Sequence, residues 1–197
     1  MKTLLFLALA VSPAVAEETR QVDAHEHGVG QLDIAFDDKQ IAIELHAPGA
    51  DIVGFEYAAE SSEDRAAVDA AVAKLAVPLD LFVLPAVAKC SVVQASAALE
   101  SEDAHEEDHS NHDKEHKDEH ADHADHEKHE DESGHTEFHA EYLLTCAEPA
   151  AVSEIKFAYF DVFPNALELE VQVVSNTGAN AFEVERDNPM LDLRGMF

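Results

Sequence analysis

Cysteine is scarce in this chain: Cys90 and Cys146 are the only two in 197 residues. A closed four-thiolate zinc site is therefore excluded. Cations are scarce as well. Twelve Lys and Arg stand against 42 Asp and Glu, a formal charge of −30. A surface of that sign repels nucleic acid and anionic lipid and attracts metal ions. Beyond the first few residues no apolar run is long enough to cross a bilayer as a helix, so no stable membrane insertion is expected. The sequence has no nucleophile elbow, no phosphate-binding glycine loop and no other catalytic constellation, and the chain is not expected to be an enzyme.

What is present begins with a secretory signal peptide over residues 1–16. Lys2 is its positive start, Leu4 to Val11 its short apolar stretch and Ala14-Val15-Ala16 its small-residue cleavage site. Cleavage removes one cation and no acid, taking the formal charge to −31. No cysteine lies near the cleavage point, so a lipid anchor there is not expected. Export also bears on the two cysteines. In an oxidising compartment Cys90 and Cys146 read as a disulfide, and closing a loop of that length stabilises by about 4 kcal/mol in the chain-entropy model.

Three regions follow: residues 17–100, 101–135 and 136–197. In the first, Leu32, Ile34 and Phe36 alternate with polar positions and are expected to face inward from a strand over Val29–Phe36. After a turn at Asp37-Asp38-Lys39, Ile41, Ile43 and Leu45 repeat the pattern over Gln40–His46, completing a hairpin that Pro48-Gly49 stops. Ser61 or Ser62 caps a helix reaching about Ala76, with Val68, Ala71, Val72 and Leu75 on one face, and Pro78 ends it. Phe82–Leu84 is short and apolar, and Cys90–Ala97 reads as a strand. In the third region strands are expected at Glu137–Cys146, Ile155–Phe160 and Leu167–Val173, the last with Leu167, Leu169, Val171 and Val173 inward. Asn176–Gly178 turns the chain back into Ala181–Arg186. The fold class expected is α+β: a single, mainly antiparallel β domain with one or two helices.

The middle region, Ser101 to His135, is of another kind. It has almost no apolar residue beyond alanine and cannot offset the entropy of ordering, so without metal it is expected to be a disordered insertion between two paired strands ending at the cysteines. Its 35 residues hold nine histidines (His105, His109, His112, His116, His120, His123, His126, His129 and His135), 15 acids and three lysines. Neutral imidazole is a good ligand for zinc, nickel and copper, and carboxylates can fill remaining positions. From His105 to His129 the steps are 4, 3, 4, 4, 3, 3 and 3. On a helix, His105 through His123 would fall in one stripe, with neighbours able to share an ion. Several labile ions per chain are expected, with affinity falling as protons compete for imidazole.

His105-Glu106-Glu107-Asp108-His109 matches the H-E-x-x-H protease motif, and His112 to His116 and His116 to His120 match its inverse. A tract built of His, Glu and Asp produces such matches by composition, and it lacks the apolar face that a packed catalytic helix needs. Outside the tract, His25 and His27 point the same way if the segment is extended. They are candidates for a second, tighter site, with His139 or His46 from a neighbouring strand. For His46 and His139 themselves a structural role is the stronger expectation.

The ordered landmarks resemble a known family, the bacterial periplasmic zinc-uptake accessory proteins typified by ZrgA. They are His25-Glu26-His27-Gly28-Val29-Gly30, Ile43-Glu44-Leu45, Pro48-Gly49-Ala50, Ile52-Val53-Gly54-Phe55-Glu56-Tyr57, Cys90, Phe138-His139-Ala140-Glu141-Tyr142, Cys146 and Phe163-Pro164, with the histidine tract between the cysteines. The resemblance spans nearly all of the chain after the signal peptide. It implies a periplasmic protein of zinc acquisition with metal sites on the histidine-rich loop, and it implies a link to components of a zinc ABC importer. The preference for zinc over copper or nickel rests on it too. The chain is unlike the larger two-lobed zinc receptors of such importers, being too short and too rich in strands. A metal buffer or detoxification protein would use the same residues, and a metal-dependent hydrolase is the remaining alternative.

Overall fold

The computed structural model describes residues 27–101 and 135–196. The expected signal peptide, His25 and the histidines from His105 to His129 lie outside the described residues.

The first hairpin forms as its alternation requires. β1 (Val29–Asp37) and β2 (Gln40–Pro48) pair antiparallel, with Leu32 opposite Leu45 and Ile34 opposite Ile43, all four buried. Phe36, expected inward, is only half-buried at the strand's end. Pro48 closes β2, and the chain turns at once into α1 (Gly49–Ile52). α2 (Ser62–Leu75) starts at a capping box: the Ser61 hydroxyl accepts from Asp64 N at 2.9 Å, and Asp64 Oδ2 accepts from Ser61 N at 3.3 Å. Its Ala71 and Leu75 are buried. Pro78 does more than end that helix. It opens a further turn, α3 (Pro78–Leu81), at a position where its missing N–H costs nothing. β3 (Phe82–Val83) follows.

β4 (Cys90–Ser101) runs four residues beyond the expected Ala97 and pairs with β5 (Thr136–Cys146) from Cys90–Cys146 at one end to Ser101–Thr136 at the other. Cys90 and Cys146 are joined by a disulfide. A bulge between Val92 and Gln94 shifts the register by one. The shift is what lets Ala95, Ala97 and Leu99 face the core in place of Gln94, Ser96 and Ala98. The expected strand over Ile155–Phe160 is instead β6 (Glu154–Phe157) followed by α4 (Tyr159–Val162). Tyr159, Phe160 and Phe163 are all buried, and a helical turn places residues so spaced on one side where a strand would split them.

β7 (Glu168–Ser175) buries Leu169, Val171 and Val173. Leu167, expected with them, lies before the strand and is 56% exposed, and its N–H donates to Gly28 O at 2.8 Å. β8 (Gly178–Glu185) returns antiparallel, starting at the end of the expected turn, and β9 (Met190–Asp192) follows.

Two sheets result. The large one has the order β4-β5-β2-β1-β7-β8, antiparallel except where β1 and β7 run parallel, and the small one has the order β3-β6-β9. The core lies between the inner face of the large sheet and a layer made of the small sheet and the helices. Phe82 is its hinge point, with ring centroids 6.3 Å from Tyr142 of the large sheet, 5.7 Å from Phe157 and 6.1 Å from Tyr159. With one face covered, the other face of the large sheet stays open. Among the described residues no helix is long and apolar enough to cross a membrane.

Candidate metal centre

The open face is where the strands' alternate residues go, and in β2 and β5 those are histidines and acids. Each strand carries the same short pattern, Glu44-Leu45-His46 and Glu137-Phe138-His139. The middle residue of each is buried in the core, so the flanking pair must emerge on the open side. The register sets His46 directly opposite His139. Their rings stack with centroids 4.4 Å apart and planes 21° from parallel.

Glu44 Oε1 accepts from both rings, at 3.1 Å from His46 Nε2 and 3.1 Å from His139 Nε2. The other nitrogen of His46 donates to Glu137 Oε2 at 3.3 Å. The other nitrogen of His139 lies 3.7 Å from Glu100 Oε1. One ligand atom each from Glu44, His46 and His139 lies within 4.8 Å of the others. Two imidazoles and a carboxylate are a donor set suited to zinc, three ligands with a fourth position left for water or a delivered group. The Glu137 hydrogen bond to His46 is the kind of outer contact that orients a metal-binding ring.

The electrostatics agree with an ion-attracting site. The carboxylate of Glu137, then that of Glu44, raises the His46 pKa to about 9 against the opposing effect of burial. Hydrogen bonding from His46 holds Glu44 below the usual carboxylate range. Without metal, a proton on His46 neutralises part of the surrounding acid. The triad adjoins a shallow groove of about 490 Å³ on the same face, which reaches Glu44 and Glu141 at one side and Ala35, Ala42 and Leu143 along its floor.

A second cluster forms where β5 begins. His27 Nε2 and His135 Nδ1 both hydrogen-bond to Glu56 Oε2, at 3.0 Å and 2.9 Å. Gly28 holds His27 in place: it takes φ 92°, its N–H donates to Asp51 Oδ1 at 2.8 Å, and an added Cβ would meet Leu167 at 2.9 Å.

The structure thus sets His139 with His46 and Glu44, and His27 with Glu56 and His135. The carboxylates Glu44, Glu56 and Glu137 were not singled out from the sequence. The repeated E-x-H of β2 and β5 was the available signal for two of them. Glu56 lies outside regular structure, and its place in the Ile52–Tyr57 landmark was the available signal.

A two-layer β protein that sets paired histidines and an acid on its open face carries a donor set that could hold a metal ion. Over residues 24–193 the chain matches the family described as ZrgA family zinc uptake protein, and it belongs to that family. That is a family of zinc uptake proteins and not a known enzyme family. Among curated proteins none matches the chain. The Cys90–Cys146 bond is consistent with export.

Proposed function

We propose that the protein is a periplasmic zinc binder that contributes to zinc acquisition, and that zinc is its cargo. The observation that carries this is the Glu44–His46–His139 cluster on a chain of a zinc uptake family. On this proposal the tract histidines, His105, His109, His112, His116, His120, His123, His126, His129 and His135, capture several further ions in labile, interchangeable sets. Ordering of the tract around metal would be offset by binding energy. His25 and His27 supply ligands near the first strand. The acceptor of the zinc would be a component of a zinc ABC importer. Support for the tract's role is its composition, nine imidazoles among 15 carboxylates in 35 residues, and support for the acceptor is the family.

Competitive titration with zinc, copper and nickel tests this on the full chain, on a chain lacking residues 102–134 and on His46→Ala/His139→Ala. The deletion is expected to remove several weaker equivalents. The double variant is expected to remove one equivalent and keep the rest. Undiminished stoichiometry after the deletion defeats capture by the tract, and an unchanged double variant defeats the triad. Induction of the gene by zinc starvation would support acquisition, and induction by excess metal would favour buffering.

A further inference from the structure

We propose that His27, Glu56 and His135 form a second metal site, distinct from the triad, at the point where the histidine tract rejoins the fold. It rests on the zinc-uptake part of the proposed function, which the family supports, and not on the triad. The two imidazole nitrogens converge on one carboxylate oxygen from residues 108 positions apart, at 3.0 Å and 2.9 Å. The placement is built by the fold at each corner. Thr136 N donates to Glu56 O at 3.0 Å, which ties the start of β5 to the loop carrying Glu56. Gly49 lies under the same place, where a Cβ would come 2.6 Å from Phe55 O and 2.7 Å from Thr136 Oγ1.

An independent observation points the same way. Asp51 is 1% exposed, spends Oδ1 on Gly28 N, and has no hydrogen-bond partner for Oδ2 among the described residues. Its bond to Gly28 N sets it against the residue that follows His27. A buried carboxyl with an unanswered oxygen is costly unless a cation or proton is near. A divalent ion beside His27 would answer it. The side chains of His27 and His135 are 68% and 61% exposed and can swing onto an ion, while Glu56, at 14%, is held. The ligand class is a divalent transition metal taking nitrogen and oxygen donors, with zinc as the probe.

The test is zinc titration of the full chain against a competing chelator, with imidazole nitrogen spectra read residue by residue. His27 and His135 signals are expected to move together with one equivalent, separately from His46 and His139. His27→Ala and Glu56→Gln should each weaken that equivalent at least tenfold and leave the His46 response unchanged. Movement of His46 and His139 with zinc while His27 and His135 stay still overturns this site and spares the triad. The reverse pattern overturns the triad and supports this site. Glu56→Gln touches a part-buried group, so His27→Ala, at an exposed position, stands as the variant whose wild-type behaviour would also overturn the proposal.

Discussion

The two faces of β2 share a backbone and differ in everything else. Ile41, Ile43 and Leu45 point into the core, while Glu44 and His46 point out. β5 repeats this with Phe138, Ala140 and Tyr142 inward and Glu137, His139 and Glu141 outward. The comparison teaches that the inner face holds the register and the outer face uses it. His46 meets His139 because Leu45 and Phe138 must be buried. Stability and metal binding should therefore be separable by face.

The largest effect expected is on the inner face. Phe82→Ala removes a ring that is 1% exposed and touches three others, and should cost roughly 3–5 kcal/mol of unfolding free energy in denaturant. His139→Ala, on the outer face, should change stability by within about 1 kcal/mol while weakening one zinc equivalent. Equal stability losses from the two would break the comparison.

The disulfide is next. Cys90→Ser/Cys146→Ser opens a cross-link spanning 56 positions, worth about 4 kcal/mol at most in the chain-entropy model. Thermal denaturation should show that loss with zinc stoichiometry unchanged, since the register is also held by β2 against β5. Loss of the triad's equivalent would show that the bond, and not the core, aligns the histidines.

The smallest effect is in pH. In the folded protein without metal His46 titrates near 9, against an ordinary value of 6.5. A raised folded pKa stabilises fully below the unfolded value and ceases to do so as pH rises through the folded one. Between pH 6.5 and 9 the metal-free wild type should lose melting temperature faster than His46→Gln. Parallel curves would mean that His46 gains nothing from Glu137 and Glu44.

Much of the fold was legible where alternation is strict, as at Leu32, Ile34, Ile41, Ile43 and Leu45. The helix was legible from Ser61 and the spacing of Ala71 and Leu75. The parallel pairing of β1 with β7 was not, because such contacts depend on a crossover through the whole chain. Residues 155–160 misled because Ile155, Phe157 and Tyr159 keep a strand's period of two, while Tyr159, Phe160 and Phe163 take a helical spacing. His46 and His139 were noticed in the sequence, but a structural role was the stronger expectation for both, and their pairing was not legible. His46 lies 93 positions from His139, and only the register between β2 and β5 brings them together.

The β4–β5 hairpin has one more consequence. Ser101 and Thr136 are paired neighbours, so the chain leaves and re-enters the scaffold at nearly one point. The entropy of closing an excursion between fixed ends grows slowly, by about 0.6 kcal/mol for each doubling of its length. The tract's length is thereby uncoupled from the fold, and on the proposed function histidines can be gained or lost there without altering the frame.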